Sequence, residues 1–145
     1  MLHPQDVRMS SAGPRMSPVM ASHGCLNICI LLSRHPDGRL VLLTDWVPLF
    51  GFEYAVARLP PALQERVIGS TFDEKRDHAG YLAVASGHQV VRDAKRRKAK
   101  RWIAIDDEVE NWPAAHRSIL VASHPVLGLG KAGVRSSLEA ALTAL

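Results

Sequence analysis

Two adjacent carboxylates, Asp106 and Asp107, close the apolar run "RWIAIDD". Acids held at the end of a short buried segment suit Mg²⁺, a hard cation that takes oxygen ligands and keeps several waters in an octahedral shell. A second run, "RLVLLTD", has the same form and ends in Thr44 and Asp45. A threonine hydroxyl beside backbone N–H groups suits a phosphate oxygen. Plainer readings exist for both. "EVENW" can open a short helix, which makes the acid pair an N-cap and a first-turn acid favoured by the helix dipole, and threonine is common in strands that bind nothing.

The third candidate is basic. Much of the cationic excess behind the formal net charge of +4 lies in "RDAKRRKAKR", so Arg92, Lys95, Arg96, Arg97 and Lys98 are candidate phosphate contacts to a nucleic acid. Against this, the run has no interleaved aromatics, and Val90, Val91 and Ala94 fall on one side of a helix whose other side is then a solvated basic face. Trp46, Trp102 and Trp112 each lie beside an apolar run, which reads as packing rather than base stacking. Cys25 and Cys29 stand i,i+4 within "CLNICILL", where one helix face buries both as small hydrophobes. His35, His78 and His116 have no partner at metal-ligand spacing, and His124 before Pro125 reads as a loop residue.

Elements must hold these residues in place. At 145 residues the chain fits one domain with one core. Residues 1–22, rich in Pro, Ser, Gly and Met without a period, read as a flexible segment, and residues 23–145 as the domain. No segment approaches the roughly 20 apolar residues of a membrane span, and the start has no targeting pattern; a soluble cytoplasmic protein is expected, with no membrane partner. A short buried helix is expected from His23 to Arg34, ended by the "HPDG" turn. The continuous apolar run Arg39 to Asp45 is a strand of the kind covered on both faces. Then come a loop with Pro48 and Gly51, a helix around Phe52 to Arg58, a Pro-Pro stop and a strand at Arg66 to Ile68. Ser70 to Gly87 carries no clear period. "HQVVRDAKRRKAK" is an amphipathic helix, "RWIAI" and "SILVAS" are strands, "HPVLGLGKAG" is a loop and "VRSSLEAALTAL" is a closing helix. Strands separated by helices make βαβ units, so the expected fold is a Rossmann-like α/β sandwich with a mostly parallel sheet. Ligand sites in such sheets lie outside the carboxyl ends of the strands, where Asp106, Asp107 and Thr44 fall.

From about Leu26 to Leu145 the chain resembles the haloacid-dehalogenase (HAD) superfamily, and within it the group described as "HAD domain in Swiss Army Knife RNA repair proteins". The pieces that carry the likeness are "LVLLTDW", "LPPALQERVIGST" (like "LP…RV.G.T"), "RWIAIDDEVENWP" (like "W.ALDD…P") and "LVASHPVLGLGKAGV". The resemblance implies a Mg²⁺-dependent phosphohydrolase acting on a phosphorylated small molecule or a nucleic-acid end. Thr44 is then the hydroxyl that binds the transferred phosphoryl group, and Asp106 and Asp107 are the acids of which at least one holds Mg²⁺. The family also places a Lys or Arg ahead of these acids. Here "ASGHQVV" puts Ser86 and His88 at that place, with Lys75, Arg76 and Lys95 as the nearby substitutes.

A larger departure lies at the front. The family's nucleophile is the first acid of an Asp-x-Asp motif, and no Asp-x-Asp occurs in this sequence. The family segment commonly reads "LDxDGVLHP", and the chain opens "MLHP". The expectation is therefore a truncated or degenerate form without phosphatase activity. In that expectation Met1 replaces a valine encoded by GTG, and an upstream strand ending in Asp-x-Asp belongs between the Arg39 and Arg101 strands. The alternative is a non-catalytic interaction or nucleic-acid-binding module using the helix Arg92 to Arg101.

Overall fold

A computed structural model describes residues 9–10, 13–14, 29–77, 80–124 and 131–145. Near the start, β1 (Met9–Ser10) and β2 (Gly13–Pro14) form an antiparallel pair. Residues 29–33 are helical (α1), with Leu31 and Leu32 buried. The expected helix from His23 falls outside the described residues until Cys29.

The buried run "RLVLLTD" forms β3 (Leu40–Leu42), and Leu43 and Thr44 continue beyond the ladder. Two short helices follow, α2 (Trp46–Phe50) and α3 (Phe52–Val56), so the segment expected as a loop around Pro48 is helical. The Pro-Pro pair begins a helix rather than stopping one. Pro61 sits in the first turn of α4 (Pro61–Gln64), where a missing N–H costs nothing and the fixed φ is already helical. Strand β4 (Val67–Ser70) then pairs parallel with β3. The unassigned stretch holds a 3-10 turn at Tyr81–Ala83. Its order comes from side chains: buried Gln89 donates to the carbonyls of Tyr81 (3.0 Å) and Val84 (2.7 Å).

Helix α5 (Ser86–Arg96) is amphipathic as expected, with Val90, Val91 and Ala94 buried. Strand β5 (Ala104–Asp106) begins later than "RWIAI" suggests and ends on the first aspartate. It pairs parallel with β6 (Leu120–Ala122) through 3-10 turns at Val109–Asn111 and Ala114–Ile119. Helix α6 (Ala132–Thr143) buries Val134, Leu138 and Leu142, an i, i+4, i+8 stripe.

Helices cover both faces of the strands. Leu42, Ile103, Ile105 and Val121 share one apolar cluster with Leu31 of α1 and Leu138 of α6. On the other face Leu43 and Ala104 pack with Val90 of α5 and with Trp112. The result is the three-layer α/β arrangement with parallel strands. Among the described residues, however, the sheet is in two halves: β3 pairs with β4 and β5 with β6, and no ladder joins β3 to β5. Leu40 and Val41 of β3, with Ile103 just before β5, line one cavity of about 720 Å³.

The loop after β4 is fixed by charge. Asp77 is buried between Arg76 Nη2 (3.0 Å) and Arg92 Nη2 (2.9 Å). Burial by itself pushes its carboxyl up, but the Asp73 N–H and the two guanidinium groups outweigh it and hold the group below its ordinary range. An acid whose folded pKa is depressed stabilises the fold above its unfolded pKa and loses that contribution as pH falls through the folded value. The expected outcome is that Asp77→Asn is less stable than the parent chain at neutral pH, and that urea titrations show the gap closing progressively below the ordinary value of 3.8.

Candidate functional site

Thr44 follows the carboxyl end of β3 and Asp106 closes the carboxyl end of β5. Asp106 is wholly buried. An ionised carboxylate accepts but cannot donate, so a buried one needs donors around it. Its Oδ2 accepts the Ser86 hydroxyl (2.5 Å) and the Trp112 indole N–H (3.0 Å), and its Oδ1 accepts the Glu108 backbone N–H (3.2 Å). Ser86 Oγ also lies 3.2 Å from Glu108 Oε2. Ser86 stands at the first residue of α5, and Trp112 follows the 3-10 turn after the acids. Gly87 locks these elements together. A Cβ there would meet the Trp112 Cα and ring at 2.9 Å, so only glycine lets the helix start lie against the indole.

Thr44 is buried, and its Oγ1 accepts the Trp46 N–H at 3.3 Å. A hydroxyl that accepts in this way keeps its own proton to donate, the polarity a phosphoryl oxygen needs. Asp107 is half-buried beside Asp106. Among the described residues no three His, Cys, Asp or Glu side chains converge as a complete metal cage. The donor set nevertheless fits Mg²⁺, which is ordinarily held by one or two carboxylates with waters and substrate phosphate rather than by an all-protein cage.

The substitutes for the family's basic residue go elsewhere. Arg76 is engaged by Asp77, and Lys75 and Lys95 are exposed. Of the two residues at the motif's own place, Ser86 is the one that touches Asp106, while His88 is exposed.

The basic helix has a different character from the free cationic face its sequence suggests. Buried Asp93 binds Arg96 and Arg97, the latter through Nε at 2.6 Å, and Arg92 is held by Asp77 while its guanidinium lies 5.7 Å from the Tyr81 ring centroid. Three of the five candidate phosphate contacts thus have an acid partner within the fold, while Arg92, Lys95, Arg96 and Lys98 are exposed. Trp46 and Trp112 are buried and Trp102 is half-buried beside His116, in agreement with packing roles. Sequence reasoning missed the Trp112 and Ser86 contacts to Asp106. The signal for the first was present, since Trp112 lies six residues beyond the acid across one tight turn.

Parallel strands, helices on both faces and an acid pair at a strand's carboxyl end define a HAD-like domain. The family described as "HAD domain in Swiss Army Knife RNA repair proteins" matches residues 1–134, and the chain belongs to that family. No curated protein and no solved structure matches it.

Two substitutions test the anchoring of Asp106. Trp112→Phe keeps the ring packing but removes one donor from a buried carboxylate, and a loss of about 1 to 3 kcal/mol is expected in chemical denaturation. Gly87→Ala forces a methyl into the indole and should cost about 1 to 3 kcal/mol in the same assay, the scale of overpacking in a closed core.

Proposed function

We propose that this domain handles phosphoryl groups as HAD phosphohydrolases do, with Asp106 and Asp107 holding Mg²⁺ and the Thr44 hydroxyl donating to a phosphoryl oxygen. The observation that carries the reading is the buried Asp106 carboxylate, fixed by Ser86, Trp112 and the Glu108 N–H at the end of a parallel strand. That anchoring suits a metal ligand, whose oxygens must be aimed before the ion arrives. Bound Mg²⁺ would supply charge neutralisation for the phosphoryl oxygens. The substrate class that fits is a phosphate monoester, on a small molecule or a nucleic-acid end.

The chain's own residues bind and orient. Ser86 and Trp112 keep Asp106 in one rotamer, and Thr44 offers a proton to the phosphoryl group. None of these supplies an attacking carboxylate, and the sequence contains no Asp-x-Asp. The 145-residue chain is therefore read as a Mg²⁺- and phosphate-binding domain without turnover of its own.

Isothermal titration with Mg²⁺ in the presence of inorganic phosphate tests this. Heat of binding that Asp107→Asn abolishes is expected, together with background rates on p-nitrophenyl phosphate. Absence of Mg²⁺ binding at millimolar concentration would remove the metal assignment. Turnover dependent on Mg²⁺ and lost in Asp107→Asn would instead reveal another nucleophile.

A further inference from the structure

Two buried acids organise the basic surface of α5. Asp77 binds Arg76 at 3.0 Å and Arg92 at 2.9 Å, and Asp93 binds Arg96 and Arg97, the latter at 2.6 Å. The acids lie beneath the surface and the cations upon it: the side chains of Asp77 and Asp93 are 4 % and 1 % exposed, those of Arg92 and Arg96 51 % and 41 %. A guanidinium carries five N–H donors in a rigid fork. Arg92 gives one of them to Asp77 and Arg96 one to Asp93, so most of each fork is not engaged by any described residue. A long side chain ordinarily loses rotamer freedom when it takes up a ligand. Here much of that loss occurs on folding, because each head group is held from below.

The exposed cations are also spaced regularly. Lys95 and Arg96 stand three and four residues beyond Arg92 on one helix, with Cβ atoms about 5 to 6 Å from that of Arg92. Asp77 sets Arg76 beside Arg92 as well. Residues 73–77 and 92–101 together hold nine Lys and Arg against four Asp and Glu, a formal +5 in a chain whose total is +4. The whole basic excess of the molecule therefore belongs to this face. The run 92–101 contains no apolar side chain larger than alanine and no aromatic ring. It has nothing to insert into a bilayer and nothing to stack on a base. What it offers is fixed positive charge in the geometry that phosphate oxygens take bidentately.

We infer that the outer face of α5 binds the phosphate backbone of a nucleic-acid duplex, with Arg92, Lys95 and Arg96 as the contacts and Asp77 and Asp93 as positioning residues. A duplex carries one negative charge per about 1.7 Å of axis, so a cationic row held rigid by the fold gains counterion release at every contact. A flexible acidic peptide would first have to be ordered. Contacts to phosphates alone carry no base information, so binding is independent of sequence. The face works without Mg²⁺ and without Asp106, and so goes beyond the phosphoryl-group reading.

Fluorescence anisotropy of the full 145-residue chain on a DNA duplex of about 20 base pairs, two helical turns, tests this in EDTA. The logarithm of the association constant should fall against the logarithm of salt concentration with a slope of about 3 in magnitude, as three phosphate contacts require. Lys95→Gln leaves both buried acids paired and should lower that slope by about one and weaken binding about fivefold. Arg135→Gln removes the same charge from exposed α6 and should change neither. The double substitution Arg92→Lys and Arg96→Lys keeps the charge but loses the forks, and should weaken binding at an unaltered slope. Three results would overturn the assignment: no binding at about 100 µM chain in low salt, equal effects of Lys95→Gln and Arg135→Gln, which would leave net charge alone at work, or polyglutamate competing as well as unlabelled duplex, which would give the face to an acidic protein. Duplex binding with no heat of Mg²⁺ binding, or the reverse, separates this proposal from the functional one.

Discussion

Backbone pairing across parallel strands is the constraint from which this architecture follows. A parallel neighbour cannot be reached by a tight turn, so the chain must leave the sheet and return, and the returning segments cover its faces. Between β3 and β4 the return is made by α2, α3 and α4, whose Val47, Ala55 and Leu63 join the same apolar cluster as Leu42. Between β5 and β6 it is made by two 3-10 turns. With both faces covered, strand residues on both sides must be apolar, which is why Leu40 to Leu43 are all buried. Polar groups are pushed to the strand ends. Thr44 and Asp106 occupy that boundary, where the backbone leaves the ladder.

Asp106 couples this frame to chemistry. A charge at zero exposure is tolerated only when donors surround it. Its donors come from three places: the start of α5, the backbone after β5, and an indole beyond the next turn. The indole also belongs to the α5-side core, in which Trp112 packs with Val90 and Ala104. Packing and ligand geometry therefore cannot be varied independently. Asp93 plays a similar part at the far end of the helix, where Arg97 reaches from it to the Ser70 carbonyl (3.2 Å) and ties α5 to the end of β4. A Cβ on Gly69 would stand 2.6 Å from that guanidinium, so glycine makes room for the tie.

The strands, the amphipathic helices and the strand-end acids were legible in the sequence because each depends on a short period or a local run. "LVLLTD" reads as a buried strand and α5 declared itself by its apolar spacing, whereas "SILVAS" gives a strand only from Leu120, its first two residues closing a 3-10 turn. What sequence could not give were features set by partners far along the chain. The stretch after β4 has no period because its shape is held by Gln89, Arg92 and Asp77 through specific hydrogen bonds. The Pro-Pro pair misled because proline both ends and begins helices, and only the direction of the following chain decides. In the basic run Asp93 stands three and four residues before Arg96 and Arg97, the spacing of helical ion pairs, but that Asp93 itself is buried was not visible. Ser86 as a partner of Asp106 lay 20 residues away and required the fold itself.

Cys29 gives the domain a chemical clock. It is half-buried against the α6-side core, and burial pushes its thiol above the ordinary range, with the charge of Arg66 pulling the other way. The thiolate is the form that reacts, so a raised thiol is less reactive while it stays packed. When the helical turn at residues 29–33 lifts from the core, the thiol regains water and its reactivity. With Cys25 replaced by serine, the labelling rate of the Cys29 sulfur therefore measures how often that corner of the domain breathes.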